Sequence, residues 1–291
     1  MKLFPDHIRK ISIISPAGMP DKAAVLSTAK LLKSQGFKVE IMPHAFGGNR
    51  PHPEYLAASD CERAADLLAA VNDPETDLIL PTRGGYGCAR LLEHIDFARF
   101  PHRNFFLAGY SDLTALHLAM IKNNSGIPVT APMAARLTML SEKAIADNFA
   151  AYQEKKLTIE LQTIAGASAC GQPVAANLTV MASLSGTPYF PDLTGRILVL
   201  EDVNEPLYRM DRCLTQLRET GALHQCSAVV FGDMSGIDGA DLRTLAAIIP
   251  AGKPVFSGYP FGHNGEILPV SSRENWTISH GKTEISLKNL L

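Results

Sequence analysis

Two short segments hold residue types that could do covalent chemistry: Pro81-Thr82-Arg83-Gly84-Gly85-Tyr86-Gly87 and Leu107-Ala108-Gly109-Tyr110-Ser111-Asp112. Each closes an apolar run and opens a stretch with helical spacing. In the second, Phe105-Phe106-Leu107-Ala108 reads as a buried strand and residues 113–120 as the helix after it, so Ser111 falls on the sharp turn between them. Such a turn lifts a serine Oγ clear of the sheet and turns the next backbone N–H, here that of Asp112, toward the place where an oxyanion would form. The Gly-rich turn adds bare backbone that a substrate can approach closely, at the same sheet edge if the two strands are neighbours. Two plainer readings compete. A serine at a helix start can serve only as an N-cap. Gly84 to Gly87 could also cradle a phosphate, although the Gly-Lys-Ser/Thr of a P-loop is missing and the G-x-G-x-x-G register begun at Gly85 ends on Arg90.

A serine hydroxyl is a poor nucleophile at neutral pH; it needs a base in contact, and the base needs an orienting acceptor. Of the nine histidines, His94, His224 and His280 sit where a helix or surface role suffices. His117 lies on an apolar helix face that leads away from Ser111 and reads as a core or interface histidine. His263 differs, because Tyr259-Pro260-Phe261-Gly262-His263-Asn264-Gly265 follows the strand-like Pro254-Val255-Phe256-Ser257, where α/β proteins place functional loops. For the acid, Arg196-Ile197-Leu198-Val199-Leu200 reads as a buried strand that runs into Glu201-Asp202-Val203-Asn204-Glu205. A carboxylate at the end of an apolar strand is costly unless paired, so Glu201 invites a partner, with Asp202 and Glu205 as rivals close by. The order Ser111, Glu201, His263 is the nucleophile–acid–base order of α/β hydrolases, though the strand pattern departs from that fold.

These residues need a sheet to hold them. The first half alternates strand-like and helix-like segments: a strand at residues 10–15, a helix over 21–35 with Gly36 as its C′ residue, and a strand at 39–42. The capping box Ser59-Asp60-Cys61-Glu62 then precedes a helix over 64–71, and strands at 78–80 and 105–108 deliver the two turns. After about residue 150 helical signal thins and strand-like runs such as Leu157-Thr158-Ile159-Glu160-Leu161 crowd together. The expected organisation is an N-terminal α/β domain over 1–150 that carries the serine and a smaller mixed domain over 151–291 that carries Glu201 and His263.

At 291 residues the chain can bury a sizeable core. Lys+Arg 27 against Asp+Glu 29, without basic runs, gives no footprint for a nucleic-acid partner. No stretch reaches membrane-spanning length. The N-terminal residues lack the apolar core of a signal peptide. Five scattered cysteines without a C-x-x-C argue against a disulfide framework and a zinc site, so no metal or other cofactor is expected and the default location is cytoplasmic.

The chain resembles the LD-carboxypeptidase family, which cleaves tetrapeptides from murein and includes the microcin C immunity peptidases. The likeness covers nearly the whole sequence, on Ile14-Ser15-Pro16-Ala17-Gly18, Arg83-Gly84-Gly85-Tyr86-Gly87, Gly109-Tyr110-Ser111-Asp112, Pro132-Met133, Asn177-Leu178, Gly186-Thr187-Pro188-Tyr189, Leu200-Glu201-Asp202-Val203-Asn204-Glu205 and Phe261-Gly262-His263. It implies a serine peptidase of peptidoglycan recycling that hydrolyses the bond between an L-centre, diaminopimelate or lysine, and a terminal D-Ala. Ser111 would be the nucleophile, His263 the base and Glu201 its orienter. The backbone N–H groups of Gly85 and Asp112 would form the oxyanion hole, with Arg83, Gly84 and Tyr86 as substrate-binding candidates. The resemblance also implies a flavodoxin-like parallel sheet with helices on both faces, a smaller mixed C-terminal domain, and a homodimer. Two departures stand out: Ala175-Ala176-Asn177-Leu178 where relatives often have Gly-Gly-Asn-Leu, and Thr130-Ala131-Pro132-Met133 where a Gly usually precedes Pro-Met. Both are expected in loops near the substrate groove. Two other readings stay open. One is a microcin-immunity-like hydrolase of peptidyl-nucleotides, which would need an aromatic to stack on the base, whereas the sole tryptophan, Trp276, reads as core or sheet. The other is a non-catalytic doubly wound protein that holds a ligand phosphate at Gly84 to Gly87.

Overall fold

The strands form where the apolar runs fall. β1 (Lys10–Ile14) is buried at every position. α1 (Lys22–Ser34) begins at Asp21, whose carboxylate accepts the N–H groups of Ala23 and Ala24, and gives way to Gly36 at φ +93°. β2 (Lys38–Ile41) leads by a long loop to α2 (Asp60–Asn72), which opens on the capping box of Ser59 and Glu62. Then follow β3 (Thr76–Pro81), the short α3 (Cys88–Leu91), β4 (Phe106–Gly109), α4 (Thr114–Lys122), β5 (Ile127–Thr130) and α5 (Glu142–Ala150). The computed structural model describes residues 1–101, 103–153, 156–265, 267–279 and 282–287. It divides into two units, Met1–Tyr152 and Gln153–Leu290.

In the first unit the strands run parallel in the order β2-β1-β3-β4-β5. This is the flavodoxin-like order. It sets the carboxyl ends of β1, β3 and β4 side by side, so the loops at 15–18, 82–87 and 110–112 share one edge of the sheet. The sequence therefore needs no long-range coincidence to bring the Gly-rich turn to Ser111; neighbouring strands do it.

The second unit holds β6 (Lys156–Glu160), β7 (Gln162–Ala165), β8 (Ser168–Gly171), β9 (Pro173–Asn177), α6 (Leu178–Leu184), β10 (Ile197–Asp202), α7 (Leu207–Glu219), α8 (Ala222–Gln225), β11 (Ala228–Met234), α9 (Gly239–Ala246), β12 (Val255–Ser257), β13 (Val270–Ser271), β14 (Glu274–Ser279) and β15 (Lys282–Leu287). β9, β10, β11 and β12 are parallel neighbours in that order, with β7 antiparallel on the outer side of β12. A separate antiparallel sheet has the order β6-β15-β14-β8. The fold class is thus α/β, a flavodoxin-like parallel sheet plus a mixed unit. Two details differ from the sequence reading. Glu201 lies inside β10, one residue before its end, and pairs in register with Asn177. Ala175 and Ala176 lie within β9 and not in a loop, because this stretch pairs with the apolar run of β10.

Candidate active site

Ser111 has φ +63°, a left-handed conformation that costs a residue with a side chain about 1–2 kcal/mol. The turn is held from several directions. Leu113 N–H donates to the Tyr110 carbonyl at 3.3 Å. The buried Asp112 carboxylate accepts the Cys88 N–H at 2.8 Å, which ties the turn after β4 to the start of α3. Burial raises the Asp112 pKa, against that hydrogen bond. Among the described residues no side chain caps the helix start, so the turn does not use Ser111 as an N-cap. Gly84 lies hard against it: a Cβ there would stand 3.1 Å from Ser111 Cβ and 3.2 Å from its Oγ. The Gly84 carbonyl in turn accepts the N–H of Gly18 at 3.4 Å and Arg83 Nε at 3.1 Å.

One residue that organises this edge escaped the sequence reading. Arg63, 1% exposed, donates from Nη1 to the carbonyls of Pro16 and Gly87 and from Nε to that of Ala58 at 3.0 Å, while Nη2 pairs with Asp60. It clips the loops after β1 and β3 to the start of α2. The one signal available was a charged residue in line with the buried stripe Leu67, Ala70 and Val71. Beside these loops a pocket of about 550 Å³ opens, lined by Gly18, Met19, Glu54, Tyr55, Arg83, Gly85 and Tyr86. Arg83, Gly85 and Tyr86 thus line one cavity, and Gly84 faces Ser111.

The second unit supplies an acid and a base in contact. His263 Nδ1 lies 2.7 Å from Glu201 Oε2. Glu201 is fully buried, and its other oxygen accepts Asn177 Nδ2 at 3.1 Å. Asn177 Nδ2 also donates to Asp202 at 3.0 Å, and its Oδ1 accepts the Val180 N–H at 3.0 Å to cap α6. Asp202 is occupied by Thr179, which donates its N–H at 3.0 Å and its hydroxyl at 2.7 Å. Glu205 pairs with Arg209 at 3.3 Å. Of the three carboxylates near the end of β10, Glu201 is the one on the histidine. Burial opposes the charged form of His263, but the Glu201 hydrogen bond and charge, with Asp202 and Asp233 behind, carry its pKa above the ordinary value of 6.5. Burial also raises the Glu201 carboxyl.

The loop bearing His263 is built by close backbone approach. Asp233 N–H donates to the Phe261 carbonyl at 2.7 Å, and a Cβ on Gly262 would come within 2.3 Å of Asp233 Cβ. Asn264 N–H donates to Asp233 at 3.2 Å and its Nδ2 to Ser235 at 2.9 Å. The other histidines stand elsewhere. His117 is buried in α4 and burial lowers its pKa to about 4, so it is neutral at ordinary pH. His94 ends a single 3-10 turn, His224 lies in α8, and His280 falls outside the described residues. Trp276 is buried in β14 with its Nε1–H on Glu274 at 2.7 Å, as a core residue.

The geometry thus defines an α/β enzyme with a buried carboxylate–histidine pair in one unit and, in the other, a serine on a strained strand-to-helix turn against bare glycine backbone. The chain matches the LD-carboxypeptidase N-terminal domain over residues 11–131 and the LD-carboxypeptidase C-terminal domain over residues 170–278, together more than half of its length. It belongs to the LD-carboxypeptidase family and is a peptidase of the carboxypeptidase type. It is similar to the murein tetrapeptide carboxypeptidase of Pseudomonas aeruginosa, 26% identical over 308 residues that cover 97% of this chain and 94% of that one. The solved muramoyltetrapeptide carboxypeptidase of Oxalobacter formigenes matches with a TM-score of 0.83 at 27% identity over 96% of this chain and 99% of that one. An MccF-like protein of Bacillus anthracis shares the fold, with a TM-score of 0.86 at 23% identity over 97% of each chain.

Proposed function

We propose that Ser111, Glu201 and His263 act as one Ser-Glu-His set that hydrolyses the bond between the L-centre of the third residue and the terminal D-Ala of murein tetrapeptides. The observation that carries the reading is the 2.7 Å contact between His263 Nδ1 and the buried Glu201. A proton held on Nδ1 by that carboxylate leaves the Nε2 lone pair for the serine proton. Ser111 Oγ then attacks the peptide carbonyl, and the N–H groups of Gly85 and Asp112 receive the oxyanion. The imidazolium returns the proton to the departing D-Ala nitrogen, and water, activated in the same way, cleaves the acyl-enzyme. In this reading the nucleophile belongs to residues 1–150 and the acid–base pair to 151–291.

The murein peptide named for the Pseudomonas and Oxalobacter proteins supports this substrate class. Five free cysteines, and no helix among the described residues long and apolar enough to cross a membrane, fit a cytoplasmic enzyme of peptidoglycan recycling, which we take to act as a homodimer. Incubation with a defined tetrapeptide should release D-Ala, and Ser111→Ala should lower kcat by at least about a thousandfold with the fold intact. Near-wild-type turnover by that variant would refute the serine mechanism.

A further inference from the structure

None of the reacting groups proposed above lies on α2, yet three of its seven buried residues carry charge: Glu62, Arg63 and Asp66. An apolar face would pack on the sheet at lower cost, since a charge leaves water only at a penalty that pairing and hydrogen bonds must offset. What the charges add is a hold on main-chain atoms of loops, which an apolar side chain cannot grip. Arg63 takes the carbonyls of Pro16, Ala58 and Gly87. Glu62 does more than close the capping box. Its Oε1 accepts the N–H groups of Asn49 at 2.7 Å and Arg50 at 3.2 Å, and its Oε2 accepts the N–H of Ser59 at 3.2 Å and the Ser59 hydroxyl at 2.7 Å. That hydroxyl, with the N–H groups and against burial, holds the Glu62 pKa down at about 2, so it accepts as a carboxylate. One turn on, Asp66 accepts the His44 N–H at 2.9 Å and lies 2.8 Å from His44 Nδ1.

The two neighbours grip different loops. Residues 42–59 join β2 to α2 without helix or strand, and Glu62 and Asp66 fasten that loop at residues 44, 49, 50 and 59. It carries Glu54 and Tyr55, which line the pocket beside the Gly-rich turn, with the Tyr55 ring 5.9 Å from that of Tyr86. Arg63 meets this loop only near its end, at Ala58, and otherwise holds the loop after β1 and Gly87, the last glycine of the turn that offers the Gly85 N–H. A pocket wall acts alike on bound substrate and transition state, so disturbing it raises KM. An N–H aimed at an oxyanion acts only when that charge forms, so disturbing it lowers kcat. We propose that α2 is the positioning element of the reaction and that adjacent residues divide the work: Glu62 sets the 42–59 loop for substrate binding, and Arg63 sets the Gly-rich turn for the oxyanion. The inference rests on the serine and murein-peptide reading above and adds residues that act through others.

The test measures kcat and KM for D-Ala release from a murein tetrapeptide in two pairs of variants. Glu62→Ala removes the acceptor. Gly48→Ala leaves α2 intact but pushes the loop off it, since a Cβ there would stand 2.1 Å from Glu62 Oε2 and Gly48 has no positive φ to forbid alanine. Both should raise KM about 10-fold, the scale of a lost hydrogen bond to a charged group, with kcat within about threefold. Arg63→Lys and Arg63→Ala should lower kcat about 10- to 100-fold with KM within about threefold, the scale of a misplaced oxyanion donor. Added guanidinium should restore part of kcat in Arg63→Ala and nothing in Glu62→Ala; should Arg63→Ala not fold, Arg63→Lys reads the same loss. A helix that served stability alone would lower the folded fraction and kcat together in all four, without the split. The second readout is the rate at which a methyl fluorophosphonate, too small to reach the pocket, labels Ser111 with loss of fluoride. Arg63→Lys should slow it about 10-fold or more, and Gly48→Ala should leave it within about threefold, because the phosphoryl oxygen takes the oxyanion's place. Equal effects of the two pairs on KM and kcat, or labelling that Arg63→Lys does not slow, would overturn the division. A wild type that labels but releases no D-Ala would instead overturn the murein-peptide reading, and the labelling rates would still judge Arg63 and Gly48.

Discussion

At Ser111 the chain is held in a left-handed turn, φ +63°, by the backbone around it: the glycine opposite, a carbonyl within the turn and the N–H of Cys88 on the next side chain. At His263 the restraint is chemical, because the imidazole is fixed by a carboxylate that is itself fully buried and shared with Asn177. The first region is specified by shape and the second by charge. Substitutions should therefore fail differently in the two. A change that preserves charge but adds a methyl should damage the serine side, and a change that preserves shape but removes charge should damage the histidine side.

The largest effect is expected on the charged side. Glu201→Gln keeps volume and can keep the contact, but an amide neither stabilises an imidazolium nor enforces the tautomer whose proton sits on Nδ1. We expect kcat to fall by about a thousandfold or more, near the loss from removing the base. Glu205→Gln is the control, since that carboxylate pairs with Arg209, and it should stay within about threefold of wild type, as for a surface ion pair. The reverse ranking would move the acid to Glu205 and remove the contrast.

Gly84→Ala addresses the side governed by shape. Gly84 is not among the glycines with positive φ, so an alanine can adopt its backbone; the added methyl would press on Ser111 at 3.1–3.2 Å. Either Ser111 or the Gly-rich turn must yield. A displacement below 1 Å at a nucleophile can cost up to about a hundredfold, so a 10- to 100-fold loss of kcat is expected with the circular dichroism spectrum unchanged. Wild-type kcat in this variant would mean that the contact between the two turns does not set the geometry.

The same division explains what could be read from the sequence. The strand, the turn and the glycines around Ser111 are local features: alternating apolar segments mark the strands, and parallel order brings neighbouring turns to one edge. Glu201 was legible as a carboxylate in an apolar strand that required a partner. The supports were not legible because they join distant residues. Arg63 reaches Pro16 across 47 positions, and Asn177 reaches Glu201 across 24, so nothing local announces either contact. The resemblance did mark Asn177-Leu178, but assigned the asparagine no task. α7 also went unread: it is strongly polar, and only Met210, Leu214 and Leu217 are buried, at i, i+4 and i+7.

A third test reads the charge at His263 directly. In the proposed mechanism the base must be neutral to accept the serine proton, so kcat/KM should fall about tenfold per pH unit once the histidine protonates. Burial lowers its pKa, but Glu201 and the acids behind it raise it further, so the limb should lie above histidine's ordinary 6.5. In Glu201→Gln the raising charge is gone while burial remains, and the limb of the residual activity should move down. A limb at the same pH in both proteins would show that the titrating group is not paired with Glu201.

The smallest effect belongs to the strained backbone. If the turn after β4 holds Ser111 at φ +63° against its preference, removing Cβ should release that strain whatever happens to activity. Ser111→Gly and Ser111→Ala both lack the hydroxyl and differ only in Cβ, so the difference between them isolates the backbone contribution. Left-handed geometry costs a residue with Cβ about 1–2 kcal/mol, and the greater freedom of glycine in the unfolded chain returns about 0.5–1 kcal/mol of that. The net gain for glycine over alanine is then about 0–1.5 kcal/mol. For a chain of this size that corresponds to a Tm higher by up to about 3 °C. Thermal unfolding of the two variants side by side measures it. Should alanine melt at or above glycine, the turn would be at ease with a side chain at Ser111, and shape would not be what holds the serine.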